Sequence, residues 1–191
     1  MADAMDSKSI SREGVGVQVP ASAPSAQLAS ELLPVLLHKL NNVTQVFSGL
    51  NSLLTVTKDA SLLTERAGDL EYAGAQLHRL GWVVGMLGAS QGADLLLARR
   101  EAQALRWSLE ALCELYGREG RRLELPERLP RVTPTEAEPR VCWELLVWVR
   151  AHASAAQSRI LLEATDEAWV FRVEGVAAEY RLPRAVLVEL S

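Results

Sequence analysis

From Leu33 to Leu54 the apolar residues Leu33, Leu36, Leu40, Val43, Phe47, Leu50 and Leu54 recur at steps of 3, 4, 3, 4, 3 and 4. A helix with an unbroken a/d seam matches that spacing; a strand, which alternates with period two, does not. The spacing predicts a helix from about Gln27 to Lys58, with Pro34 near its start. Asp59-Ala60-Ser61 follows as a turn with cap candidates. A second helix is expected from about Leu62 to Gly88, where Leu70, Leu77 and Val84 form one heptad row and Ala73, Leu80 and Leu87 the next. Gly68, Gly74, Gly81, Gly85 and Gly88 lower its propensity and are expected to permit close helix approach. Two such helices with a short connection make an antiparallel hairpin. One hairpin cannot bury two wide apolar stripes, so a homodimer closing a four-helix bundle is the expected assembly.

The rest of the 191-residue chain reads differently. Residues 1–26 mix Ser, Gly, Ala and Pro without a helical period and are expected to be a disordered tail, with Met5 a second possible initiator. The hairpin unit occupies 27–90, and about 90–100 reads as a linker or a frayed helix end. A second unit, 101–191, mixes helices and strands. Ala104 to Tyr116 is helical with Leu105, Leu109, Leu112 and Leu115 on one side, and Gly117 and Gly120 stop it. Arg122 to Leu125 is a short strand, Leu129 to Pro139 a loop with three prolines, and Arg140 to Ala156 a strongly apolar helix. Arg159 to Ala164 and Ala168 to Glu174 alternate around Thr165-Asp166-Glu167, which signals a β-hairpin. Val176 to Ser191 adds a further strand or short helix. The fold class is therefore α+β: a helical hairpin, then a small unit with helices on one sheet face.

Charge and residue usage narrow the function. The net charge of −4 gives no basic excess for nucleic acid or an anionic membrane surface. Two cysteines are too few for a disulfide scaffold, and with three histidines they show no metal-ligand spacing. No apolar run approaches the roughly 18–20 residues of a membrane span, and the first residues lack a basic region followed by an apolar one. The cytoplasm is the expected compartment, with no metal and no cofactor. No Gly-x-Ser-x-Gly or P-loop motif occurs. His78, His152, Trp143 and Trp148 read as packing residues, and Arg99-Arg100 and Arg118 to Arg122 as solvated basic clusters.

With Leu33 at heptad position a, His38 falls at f, farthest from the seam, beside Asn41, Asn42 and Gln45. His38-Lys39-Leu40-Asn41-Asn42, followed by an apolar heptad run, resembles the H-box of sensor histidine kinases. The likeness to their dimerisation and histidine-phosphotransfer hairpin covers about Leu28 to Gly88. It implies that His38 accepts a phosphoryl group, which a neutral imidazole can do near pH 7. Asn42, one turn on, would orient a phosphoryl oxygen or a water. Family members that autophosphorylate usually carry Asp or Glu after the histidine. Here Lys39 stands there; it cannot accept a proton but could neutralise phosphate. Val43 stands where the family often has proline.

The element order of the second unit is that of the family's ATP-binding domain, with Val141 to Ala151 resembling the helix that carries the Mg²⁺-binding asparagine. Yet no Asn follows Asn51, the only Asp after Asp94 is Asp166, and Gly175 is the only glycine after Gly120. The magnesium ligand, the adenine-binding Asp-x-Gly-x-Gly and the glycine-rich lid are therefore missing, and an ATP-binding domain without its site is expected. The whole resembles histidine phosphotransferases built like a kinase core with a degenerate ATPase-like α/β sandwich. That resemblance implies receiver domains of response regulators as partners, with Asn41 and Gln45 on the contact face. Two other readings stay open: a silent dimeric scaffold that binds receivers or a kinase, and a receiver phosphatase.

Overall fold

Helix α1, Ala23–Thr57, is 35 residues long, about 50 Å of unbroken rod. The computed structural model describes residues 23–90, 103–132, 138–184 and 187–188. The expected tail is shortened at its end, since α1 takes in residues from Ala23; residues 1–22 lie outside the described ones, as does most of the expected linker. At the far end Lys58 adopts a left-handed φ of 54°, and Asp59 Oδ1 accepts the Ser61 backbone N–H at 2.9 Å, so the chain turns back at once. The return is not one helix but two: α2, Ser61–Glu65, and α3, Ala67–Ser90, meet at Arg66.

Helix α4, Ala104–Arg118, buries Leu105, Leu109, Leu112 and Leu115 as its period requires. Strand β1, Arg122–Glu124, leads to β2, Arg131–Val132, a short strand inside the proline-rich stretch expected to be loop. Helix α5, Glu138–His152, stops four residues before the expected Ala156. The reason is tertiary: the Tyr116 hydroxyl donates to the Ala153 carbonyl at 2.9 Å, and Arg121 donates to the Ala153 and Ala155 carbonyls. Those carbonyls therefore have partners outside a helix. Strands β3, Gln157–Ala164, and β4, Ala168–Val173, form the expected hairpin; β5, Glu179–Pro183, extends it, and β6, Leu187–Val188, pairs with β2. The main sheet runs β1-β3-β4-β5, with β1 parallel to β3 and the other pairs antiparallel.

Register decides the sheet's two faces. Ile160 lies opposite Val173, and Leu162, Phe171 and Tyr180 line up across three strands toward the helices. The other face carries charge: Arg172 pairs with Glu163 and Glu179, and Arg159 with Glu124 at 2.9 Å. Helices α4 and α5 lie on the apolar face and also pack on α1 and α3, so one cluster of buried side chains runs from Leu28 to Leu182. Polar contacts fasten the junction. Trp143 Nε1–H donates to Ser25 Oγ at 2.8 Å, Trp82 Nε1–H to Ser108 Oγ at 3.2 Å, and Arg79 pairs with Glu110 at 2.9 Å. Among the described residues no helix is long and apolar enough to cross a membrane.

Three of the five α3 glycines do not have the expected role within the chain. A Cβ added at Gly68, Gly74 or Gly81 would meet nothing within 4 Å. Gly49, on the outer face of α1, is equally open. Gly49→Ala is therefore expected to raise stability by about 0.5–1 kcal/mol, read as a higher melting temperature, because it only restricts the unfolded chain and improves helix propensity. Gly175→Ala should lower it, since φ there is +79°.

Candidate functional site on helix α1

Position f of the heptad is solvent-exposed, as its distance from the seam requires, and His38, Asn41, Asn42 and Gln45 all lie open on one stripe of α1. The structure brings two of them together: Asn42 Nδ2 lies 3.4 Å from His38 Nε2. An amide nitrogen only donates, so this contact needs the imidazole with its proton on Nδ1 and its lone pair on Nε2. At 3.4 Å the bond is long, and the amide can exchange it for an incoming oxygen. Asn41 and Gln45 flank the pair on the same face.

Lys39 is placed differently. One residue is about 100° around a helix, which turns Lys39 away from the stripe and toward α4. Its ammonium pairs with Glu114 there, and its side chain is only 20% exposed. One turn further along α4, Arg118 Nη1 donates to the Pro34 carbonyl at 3.3 Å. Pro34 stands four residues before His38, so this contact falls on the turn beneath the histidine. Two other arginines of the basic cluster are committed to carboxylates: Arg121 to Glu119 at 3.2 Å and Arg122 to Glu124 at 3.3 Å. Arg150 of α5 bonds Glu31 of α1 at 3.0 Å and Glu119 at 2.6 Å. That guanidinium holds the Glu119 carboxyl below the usual carboxylate range. The His38 stripe is thus bordered along one side by the end of α4 and by α5.

The opposite border is apolar. The d residues Leu36 and Val43 are buried, but the a residues Leu33, Leu40 and Phe47 remain 52%, 46% and 39% exposed. Leu33 and Leu40, with Leu37, Leu77, Val84 and Gly81, line an open groove of about 720 Å³ between α1 and α3. A single hairpin covers one side of its seam and leaves the other bare.

Other reactive groups are occupied by packing. His152 Nδ1–H donates to the Trp148 carbonyl at 2.7 Å, and its ring stacks on Trp148. His78 stands edge-on to Trp107 with centroids 5.4 Å apart. Burial pushes the Cys113 thiol up to about 11, which leaves it a thiol at neutral pH. Among the described residues no three His, Cys, Asp or Glu side chains group as metal ligands.

Comparison of the chain with protein-family models, with curated proteins and with solved structures gives no match. The site therefore stands on its own residues. Glu114 and Arg118 escaped the reading of the sequence because they lie 75 and more positions from the motif they adjoin. Arg118 falls in the basic cluster after Tyr116, whereas Glu114 carried no local signal.

Proposed function

We propose that the chain is a histidine phosphotransfer protein of a two-component phosphorelay, carrying phosphoryl groups to and from receiver-domain aspartates on His38. The observation that carries this reading is the His38–Asn42 pair, an open imidazole whose Nε2 lone pair meets an amide donor on a stiff helix. In the forward step Nε2 forms a bond to phosphorus as the phosphorus–oxygen bond to the receiver's aspartate breaks. The bonding pair leaves on the carboxylate, and the Nδ1 proton stays on the ring or passes to water. Transfer onward is the reverse onto a second aspartate. Such a step needs in-line access and charge neutralisation more than added covalent chemistry. Asn42 is suited to hold a phosphoryl oxygen.

The apolar groove supports the dimer in this reading, and its occupant is the same groove of a second copy. Both walls carry the heptad rows that a two-fold four-helix bundle closes on. The order α4-β1-β2-α5-β3-β4 supports a degenerate ATPase-like second unit. Its β4–β5 connection, residues 174–178, spans five residues and leaves no length for a nucleotide lid. The phosphoryl group is therefore drawn from receivers rather than from ATP. Asn42 also favours a second reading, in which it places a water against a receiver's acyl phosphate.

The test is incubation with receiver domains charged from radioactive acetyl phosphate. Acid-labile, base-stable label on the chain is the expected result, with none from radioactive ATP alone. Label released only as inorganic phosphate would favour the phosphatase. Receiver binding without either would leave a dimeric scaffold.

A further inference from the structure

We propose that Arg118, delivered by α4 from the second half of the chain, is the cation that neutralises the phosphoryl group on His38; this rests on the phosphotransfer reading above. Three observations converge on it. The first is that Lys39, the cation beside the histidine in sequence, is engaged by Glu114 and turned off the stripe. Moving its ammonium to phosphate would leave Glu114 without that partner. The second is the place of Arg118. Its guanidinium bonds the carbonyl of Pro34, one helical turn before His38. Helical side chains lean toward the N-terminus, so the imidazole of His38 projects over that same turn. The third is availability. Arg118 is exposed, and among the described residues no carboxylate pairs with it, whereas Arg121 and Arg122 each hold one and Arg150 holds two. Its bond to Pro34 uses one of five N–H donors and leaves the rest of the fork for phosphoryl oxygens.

The arrangement gives the second half of the chain a task that needs no nucleotide. Glu114 and Arg118 lie four apart on α4 and so share one face. Glu114 fastens that face to α1 through Lys39, and Arg118 is thereby held at the next turn. When the bond from Nε2 to phosphorus forms and the aspartate carboxylate departs, the phosphoryl oxygens keep their negative charge. A fixed guanidinium beside them lowers the barrier in both directions, since it costs no reorganisation at the moment of transfer.

The experiment measures phosphoryl uptake by the full chain from receiver domains charged with radioactive acetyl phosphate. Arg118→Ala is expected to slow uptake by about 10- to 100-fold, less than for an enclosed oxyanion donor because water screens an exposed site. Arg118→Lys should fall between, because it keeps the charge and loses the fork. Guanidinium chloride, below concentrations that unfold the chain, should restore part of the rate to Arg118→Ala and none to wild type, a rescue that a purely structural arginine would not show. Should alanine unfold the chain, Arg118→Gln keeps a donor for Pro34 and removes only the charge. Uptake by Arg118→Ala or Arg118→Gln at the wild-type rate, or a loss that guanidinium leaves unchanged, overturns the assignment to Arg118 and leaves the phosphotransfer reading standing. No label on the wild-type chain overturns both.

Discussion

Replacing His38 with alanine is expected to abolish phosphoryl uptake while leaving the fold and the assembly intact. The loss is total because the substitution removes the nucleophilic nitrogen itself, and no other histidine is placed to substitute. His152 is held by the Trp148 carbonyl and ring, and His78 packs against Trp107. The fold should survive because His38 is exposed at position f and joins no buried cluster; surface changes of this kind shift stability by about 0.5 kcal/mol or less. Label on wild type and none on His38→Ala, with unchanged melting and unchanged mass in solution, is the result to look for. Persistent label on His38→Ala would move the acceptor elsewhere. Asn42→Ala should slow the transfer without removing the acceptor, which separates its role from that of His38.

Leu40→Asp is expected to dissociate the dimer without unfolding the monomer. Leu40 is 46% exposed and lines the groove between α1 and α3. In the monomer the new carboxylate stays hydrated and costs little. At a closed bundle seam two unpaired carboxylates would be buried near the two-fold axis, at about 4 kcal/mol or more, which weakens association roughly a thousandfold. Light scattering at micromolar concentration should show a wild-type dimer and a folded Leu40→Asp monomer. Leu36→Asp is the contrast. Leu36 is 5% exposed in the single chain, so a carboxylate there unfolds the monomer itself. A wild-type monomer, or a Leu40→Asp variant that stays dimeric, would remove the groove from the assembly.

The two sets of positions show what local pattern could and could not determine. The 3-4 spacing from Leu33 to Leu54 was enough to place α1, and the alternation around Thr165-Asp166-Glu167 was enough to place the β3–β4 hairpin. Both follow from backbone period, which any stretch of chain displays in its own residue order. Heptad arithmetic likewise put His38 and Asn42 on one exposed face, because four residues make nearly one turn. Period alone was silent on what covers each face. It treated a and d positions alike, whereas the folded chain buries Leu36 and Val43 and leaves Leu33 and Leu40 open. It let α5 run to Ala156, where Tyr116 and Arg121 take the carbonyls that end it. It offered Lys39 as the phosphate cation because Lys39 is adjacent in sequence. Adjacent residues on a helix point about 100° apart, and only the docking of α4 decided that Lys39 meets Glu114 while Arg118 reaches the turn below His38. Backbone period placed α1, α4, the β3–β4 hairpin and the histidine's exposure, all set by residues a few positions apart, but not the break between α2 and α3 at Arg66. The partners of Lys39 and Arg118 came from the packing of α4 on α1, because those contacts join residues 75 and more apart and depend on how whole elements pack.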